Sequence, residues 1–152
     1  MSIRDARSDE TQAIADATAA QPLLQRYGVT PGGLARDLQR SIDSGDVVLV
    51  CEEQSSIRGF ASFGLGGQLG VGGYLKLIAL APGHESGGRG RALLEEVERR
   101  VAVDSRHLFL LVSDFNVDAQ RFYERAGYVR RGELPSLVKP DITELLYCKR
   151  LR

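Results

Sequence analysis

The sequence is poor in the features that mark several common classes of protein. Its 152 residues include no tryptophan, one methionine, two histidines and two cysteines, and the 20 basic side chains equal the 20 acidic ones in number. Zero net charge without a basic tail argues against a dedicated nucleic-acid-binding protein. No apolar run approaches the ~18 residues of a membrane-spanning helix, and no apolar segment follows the charged N-terminus as in a secretory signal. We therefore expect a cytoplasmic protein.

The cysteines and histidines that are present are not spaced like metal ligands. Cys51 and Cys148 lie far apart in apolar, strand-like surroundings, and neither His84 nor His107 has a cysteine or histidine partner at ligand spacing. We therefore predict two free, buried thiols instead of a disulfide, and we predict no metal site.

Segments typical of strands and of helices alternate along the chain without a repeat or a linker. Strands are predicted over 3–6, 47–53, 57–63, 74–80, 107–113, 128–132 and 143–151, and helices over 9–20, 31–44, 89–103 and 117–126. Ser8 and Asp9 are suited to cap the first helix, and Asn116 is suited to cap the last one. The pattern predicts one alternating α/β domain over residues 1–152.

Two segments rich in glycine or proline are predicted to connect strands. Residues 64–73 contain six glycines, and residues 133–141 contain two prolines. The glycines do not follow the G-x-G-x-x-G spacing, and no G-x-x-x-x-G-K sequence occurs, so a flexible hairpin connection is favoured over a nucleotide-binding loop. The proline-containing segment is predicted to be a loop.

The segment most informative about function is a strand, a glycine-bearing turn and a helix, with the sequences LIAL, APGHESGGRG and RALLEEVERR. A helix N-terminus presents free N–H groups and about half a positive charge. Gly88 and Gly90 let the backbone approach a ligand closely, and Arg89 and Arg91 add positive charge, so the turn could hold a phosphate group. The same turn could equally serve only to connect the strand to the helix.

Two motifs in this part of the chain resemble those of the GNAT superfamily of N-acetyltransferases. Residues 77–94 are similar to its acyl-CoA signature, in which an apolar strand and a proline turn precede Gln or Arg and then two small residues. The second family motif is matched by Asn116, Ala119, Phe122, Tyr123, Gly127 and Tyr128. The resemblance covers residues 74–130 well, whereas residues 1–45 match only in the order of elements.

The resemblance implies a GNAT-like α/β domain, with a mixed central sheet of six to seven strands flanked by about four helices. In this fold the strand at 74–80 splays away from the strand at 107–113. The resemblance also implies acetyl-CoA as co-substrate, its pantetheine arm against the splayed strand and its pyrophosphate on the following turn. The implied coenzyme-binding residues are Ile78, Ala79, Leu80, Glu85, Ser86, Gly87, Gly88, Arg89, Gly90, Arg91 and Asn116.

Glu85 departs from the family pattern, which has Gln or Arg at this position. A carboxylate that faces a pyrophosphate should repel it. Two explanations stay open: the Glu85 side chain points away, or Arg89 or Arg91 offsets its charge.

The resemblance makes Tyr123 the residue expected to act in catalysis. By helical spacing alone, Tyr123 is more simply a core aromatic beside Phe122. At the matching family position, the tyrosine hydroxyl protonates the departing CoA thiolate as a general acid. The implied reaction is direct transfer of an acetyl group to an amine in a ternary complex, with a backbone N–H near Leu80 stabilising the oxyanion.

The base, the acceptor and the catalytic competence stay open at the level of sequence. The candidate bases, each more simply a solvated surface group, are Glu52, Glu53, His84, Asp114 and Glu144. A small-molecule amine is slightly favoured over a protein amine as acceptor, and exposed strand edges would allow a homodimer. Because of Glu85 and the missing base, a non-catalytic acyl-CoA-binding module is the alternative to an enzyme, and a CoA-independent domain is a third possibility.

Overall fold

Apolar and β-branched runs form one mixed sheet. In the computed structural model, which describes residues 1–152, the strands are β1 (Ser2–Asp5), β2 (Val47–Glu53), β3 (Ser56–Gln68), β4 (Gly72–Leu80), β5 (His107–Ser113), β6 (Val129–Pro135) and β7 (Thr143–Arg150). Their order across the sheet is β1-β2-β3-β4-β5-β7-β6. Neighbouring strands are antiparallel except β4 and β5, which are parallel. The single parallel pair therefore lies at the centre of the sheet.

Helices cover both faces of this sheet. They are α1 (Thr11–Thr18), α2 (Pro22–Arg26), α3 (Pro31–Asp43), α4 (Arg89–Val101) and α5 (Val117–Arg125). Helices α1, α2 and α3 bury an apolar cluster on one face, and α4 packs a second cluster on the other face, where α5 adds partly buried side chains. None of these helices combines the length and the apolar character needed to cross a membrane.

The predicted α/β fold, with its mixed sheet and its splayed central strands, is confirmed. Seven strands are present, but there are five helices where about four were expected. The additional helix is α2, which has only five residues and is therefore too short to show helical periodicity. Its start is fixed by Pro22 and by the side chain of Gln21, which accepts hydrogen bonds from the backbone N–H groups of Leu23 and Leu24.

The prediction that Ser8 or Asp9 caps α1 is wrong. The helix begins at Thr11, and Glu10 occupies the cap position without a side-chain bond to the helix. The carboxylate of Glu10 instead accepts hydrogen bonds from the guanidinium of Arg4 and from the backbone N–H of Arg7. This charge-assisted contact with β1 outweighs a local cap, so Ser8 and Asp9 remain in the turn before the helix.

The two connecting segments contain more strand than predicted. The glycine-rich stretch is a hairpin, as predicted, but β3 extends through Gln68 and β4 begins at Gly72. The segment predicted as a loop over 133–141 begins as strand, because β6 continues to Pro135 and pairs with Thr143. Proline is tolerated there since β6 is an edge strand. Both cysteines are free as predicted, but only Cys51 is buried as predicted, whereas Cys148 is half-buried.

Candidate active site

The candidate active site lies where the two parallel central strands separate. Strands β4 and β5 pair only from Gly72 to Leu75 and from His107 to Leu110. Their close approach requires glycine at the start of β4, because a Cβ on Gly72 would lie 2.5 Å from the carbonyl oxygen of His107. Beyond this point β4 is paired only with β3, and β5 is paired only with β7. The carboxyl ends of the two strands therefore border an open gap.

The gap is part of a cavity of about 590 Å³. Its lining residues come from five places: residues 75–78 and 80 of β4, residues 110–113 of β5, residues 116, 118, 119, 122 and 123 in and before α5, residues 21 and 23 at the start of α2, and the turn that leads into α4. From this last place come Glu85 and Gly88 of the turn and Gly90 and Arg91 of the first turn of α4. The cavity is mostly apolar between the strands and has charged side chains at the turn.

The turn before α4 presents a run of unpaired backbone amides. No backbone N–H from Glu85 to Arg91 donates to a backbone carbonyl, and the helix has no side-chain cap. Gly88, with a φ of +80°, turns the chain into the helix in a conformation that favours glycine. Free amides and the positive end of the helix dipole together form an anion-binding concavity.

The two arginines of this turn are already engaged in ion pairs. The guanidinium of Arg89 donates to the carboxylate of Glu53 at 2.8 Å and to the carbonyl oxygen of Ser86 at 2.6 Å. Arg91 donates to Glu95 at 2.8 Å, one turn along α4. Hydrogen bonding with Arg89 lowers the pKa of Glu53. Arg89 therefore connects the turn to Glu53 at the end of β2. Glu85 is exposed and lines the cavity.

The structure brings most of the predicted site residues to this cavity. The predicted residues that line it are Ile78, Leu80, Glu85, Gly88, Gly90, Arg91, Asn116 and Tyr123. Those outside the lining are Ala79, Ser86, Gly87 and Arg89. Of these, Ala79 is buried against the cluster under α1, α2 and α3, and the side chain of Arg89 faces Glu53.

Tyr123 reaches the cavity from α5 and is held by aromatic neighbours. Its ring lies edge-on to Phe122 at 5.1 Å and to Tyr128 at 5.6 Å between centroids. Burial alone raises the pKa of its phenol, with no hydrogen bond contributing to the shift. The hydroxyl therefore keeps its proton at neutral pH.

Asn116 caps α5 as predicted. Its side-chain oxygen accepts a hydrogen bond from the backbone N–H of Ala119 at 3.1 Å, which caps the helix. Gln120, one turn further, donates to the carbonyl oxygens of Ser113 and Asp114 and so ties the helix to the end of β5. The sequence analysis did not single out Gln120.

Four of the five candidate bases contact a cationic side chain or a backbone N–H group. Glu52 pairs with Arg4 and Glu53 with Arg89. His84 lies 3.3 Å from the guanidinium of Arg58, and Asp114 accepts from the backbone N–H of Thr143.

Glu144 differs from these four, because only 5% of it is exposed. Its interpretation as a solvated surface group is wrong.

Glu144 belongs to a hydrogen-bonded group that the sequence analysis missed. The hydroxyl of Tyr27 lies 2.5 Å from Oε1 of Glu144 and 2.5 Å from Oγ of Ser113. Oγ of Ser113 is 3.3 Å from each carboxylate oxygen. Burial and then the hydrogen bond to Glu144 raise the pKa of Tyr27. Tyr27 directly follows α2, Ser113 ends β5 and Glu144 lies in β7, so local sequence gives no sign of their contact.

Comparison with known proteins identifies the family. A family model described as an acetyltransferase (GNAT) domain matches residues 44–130, which is more than half of the chain. The matched range contains the splayed strands, the amide-rich turn and Tyr123. This chain belongs to the GNAT family of acetyltransferases. No curated protein matches its sequence.

Solved structures share the fold over nearly the whole chain. A protein from Desulfovibrio desulfuricans assigned to the GNAT family is 24% identical, with a TM-score of 0.81 and 99% of both chains covered. An aminoglycoside 6'-N-acetyltransferase complexed with coenzyme A is 14% identical, with a TM-score of 0.82 and coverage of 100% of this chain and 98% of its own. A ribosomal-protein-alanine N-acetyltransferase from Brucella melitensis is 21% identical, with a TM-score of 0.76 and 99% of both chains covered. At these identities the likeness is one of fold.

Proposed function

We propose that this protein transfers an acetyl group from acetyl-CoA directly to an amine acceptor. The observation that carries the proposal is the gap between β4 and β5, which opens beside the unpaired amides at the turn before α4. An extended acyl-CoA needs both features, because its arm carries amides and its pyrophosphate carries negative charge. Family membership supports the same donor.

In this proposal the chain holds the donor through its backbone. The amides from Glu85 to Arg91 bind the pyrophosphate, and the free edge of β4 near Ile78 and Leu80 pairs with the pantetheine arm. Glu85 does not oppose this binding, because its exposed carboxylate stays in water while the backbone N–H groups act. Arg89 contributes by fixing the turn through Glu53.

Tyr123 is proposed as the general acid. The amine nitrogen attacks the thioester carbon, the C–N bond forms and the C–S bond breaks, and the phenol gives its proton to the sulfur. The proton that the nitrogen loses on becoming an amide returns the phenolate to the phenol. A backbone N–H near Leu80 stabilises the oxyanion. The raised pKa of Tyr123 keeps the proton available until the thiolate develops.

The proposed acceptor is a small-molecule amine. One structural neighbour is an aminoglycoside acetyltransferase, and another is an acetyltransferase for the alanine of a ribosomal protein. A neutral chain without an acidic cluster near α2 or near residues 136–142 offers little to a lysine-rich protein tail. A panel of small amines and amine-bearing peptides, assayed by release of free thiol, tests this choice.

The donor site is tested by thermal unfolding with acetyl-CoA, CoA or ATP. A ligand at ~100 times its Kd adds about 2.7 kcal/mol, which raises the unfolding midpoint by roughly 5–10 °C for a domain of this size. We expect this shift with acetyl-CoA and CoA and none with ATP. Absence of a shift with both coenzymes would refute the donor site.

The role of Tyr123 is tested by Tyr123→Phe. Turnover should fall by about 100-fold while the acetyl-CoA shift is retained, because only the proton donor is removed. Tyr128→Phe is the matched control: its ring packs on Tyr123 and its hydroxyl donates to Glu98 at 3.0 Å, outside the cavity lining. Equal turnover in the wild type and Tyr123→Phe would remove Tyr123 from this role.

A further inference from the structure

Glu144 is a buried carboxylate without a cationic partner. None of the chain's ion pairs includes it. The groups that face it are the hydroxyls of Tyr27 and Ser113. Two further groups interact electrostatically with these residues. Burial and then the charge of Glu144 raise the pKa of Tyr74 in β4, and the charge of Asp114 contributes to the raised pKa of Tyr27. A buried negative charge in such surroundings is costly unless it serves a bound cation or takes up a proton.

Ser113 connects this carboxylate to the cavity. It is the last residue of β5, at the widely separated end of the two central strands, and it lines the cavity that holds Tyr123. Of the three residues only Ser113 lines the cavity, so a path of hydrogen bonds from the cavity to Glu144 has to pass through Ser113. The position of Ser113 is fixed from two sides, since its carbonyl oxygen accepts from Gln120 and its Oγ contacts Tyr27.

The hydrogen bonds give this group a direction. A carboxylate only accepts, so the Tyr27 hydroxyl donates to Glu144. The Tyr27 oxygen then accepts from the Ser113 hydroxyl at 2.5 Å. This arrangement leaves the remaining lone pairs of Ser113 Oγ free to accept an N–H from a molecule in the cavity.

We propose that Ser113, Tyr27 and Glu144 form a proton relay that deprotonates the acceptor, and that the acceptor is a basic alkyl amine that enters as its ammonium ion. This proposal rests on the proposed acetyl transfer. The ammonium N–H bond breaks and its proton passes to Ser113 Oγ. Ser113 passes its own proton to Tyr27, and Tyr27 passes its proton to Glu144. The amine is left with a free electron pair for attack, and Glu144 is left neutral.

The choice of a basic amine follows from the charge of the relay. An alkyl amine has a pKa near ~10.4 and is a cation at neutral pH, so it is attracted by Glu144 and must lose a proton before it reacts. An arylamine is neutral at the same pH and needs no such step. The two acceptors therefore respond differently to loss of the relay.

The test compares Glu144→Gln, Ser113→Ala and Tyr27→Phe with wild type, using an alkyl amine and an arylamine that the wild type acetylates. For the alkyl amine at neutral pH, kcat/KM should fall by about 100-fold in Glu144→Gln and Ser113→Ala. Tyr27→Phe should lose roughly tenfold, because Ser113 still lies 3.3 Å from Glu144. The arylamine should lose less than about threefold in all three variants, and raising the pH should restore the alkyl amine's rate.

A tyrosine–glutamate pair on the other face of the sheet provides matched controls. Tyr147 donates to Glu124 at 2.9 Å, so Tyr147→Phe and Glu124→Gln remove the same kinds of group without touching the cavity lining. Both should leave kcat/KM unchanged for either amine. The acetyl-CoA thermal shift checks that each variant is folded, and Tyr27→Phe carries the test if Glu144→Gln does not fold.

The outcomes separate the relay from the reaction. Equal losses for both amines, or no loss in a folded variant, would overturn the relay while acetyl transfer stands. A wild type that binds acetyl-CoA but acetylates no amine would overturn the proposed function and the relay with it. Selective loss for the alkyl amine, reversed at high pH, supports the relay.

Discussion

Glu10 and Glu144 are the two buried acidic side chains of the molecule, and their partners are opposite in kind. They are 7% and 5% exposed. Glu10 accepts two hydrogen bonds from the guanidinium of Arg4, at 2.7 and 2.9 Å, and one from the backbone N–H of Arg7 at 2.7 Å. Glu144 meets only two hydroxyl groups. The two carboxylates are equally buried, but only Glu10 has a cationic partner that offsets its charge. This difference separates a carboxylate that stabilises the fold from the one that we propose takes up a proton in catalysis.

The contacts of Glu10 explain its structural role. Arg4 of β1 also donates to Glu52 of β2, so Glu10 joins the start of α1 to the edge of the sheet. Hydrogen bonding with Arg4 lowers the pKa of Glu10 to about 2, against the opposing effect of burial. The group remains ionised and paired over the whole physiological range.

The largest stability effect in this comparison is expected from Glu10→Gln. Loss of the charge leaves the Arg4 guanidinium with weaker neutral hydrogen bonds, at a cost of about 2 kcal/mol. Urea unfolding measures this loss, and acetyl transfer by the folded variant should be unchanged. A variant as stable as wild type would contradict the structural role.

Acidification should reproduce part of this loss in the wild type. The folded pKa of about 2 lies below the ordinary value of 4.5, so the stabilisation is complete above the ordinary value and is lost as pH falls towards the folded one. The slope from this group is at most ~1.4 kcal/mol per pH unit. Urea unfolding at a series of acidic pH values should show a shallower slope for Glu10→Gln than for wild type, and parallel slopes would exclude Glu10 as the source.

The smallest stability effect is expected from Glu144→Gln. The amide still accepts from Tyr27, and the uncompensated charge is removed, so the free energy of unfolding should stay within about 0.5 kcal/mol of wild type or rise. The same urea titration measures it. A loss of unfolding free energy as large as that of Glu10→Gln would show that both carboxylates stabilise the fold, and would contradict the distinction between them.

Local sequence indicated where the residues of the two family motifs lie better than it indicated the contacts of the buried carboxylate. The turn before α4, the Asn116 cap and Tyr123 lie within two continuous motifs whose residues are close along the chain. Tyr27, Ser113 and Glu144 are separated by 86 and 31 positions and meet only when α2 folds over the sheet. A short helix and a lone carboxylate carry no periodic signal, so neither α2 nor the burial of Glu144 could be predicted.

Errors at element ends have a similar origin. Ser8 and Asp9 are good caps by residue type, but α1 begins after Glu10, whose carboxylate accepts a hydrogen bond from Arg4 of β1. The extension of β6 to Pro135 depends on pairing with β7, which the proline-bearing sequence conceals. Long-range partners decided both cases.

The irregular pairing of β3 and β4 has a consequence for how acceptor preference can change. Ser62 pairs with Leu77 and Phe63 pairs with Leu75, so Lys76 is an extra residue immediately after the last contact of β4 with β5. Such a bulge bends its strand. The gap thus begins where the backbone of β4 bends, directly after its last contact with β5. Under the proposed function, substitutions in α2 could therefore exchange one acceptor for another during evolution while the bent backbone that receives the coenzyme stays as it is.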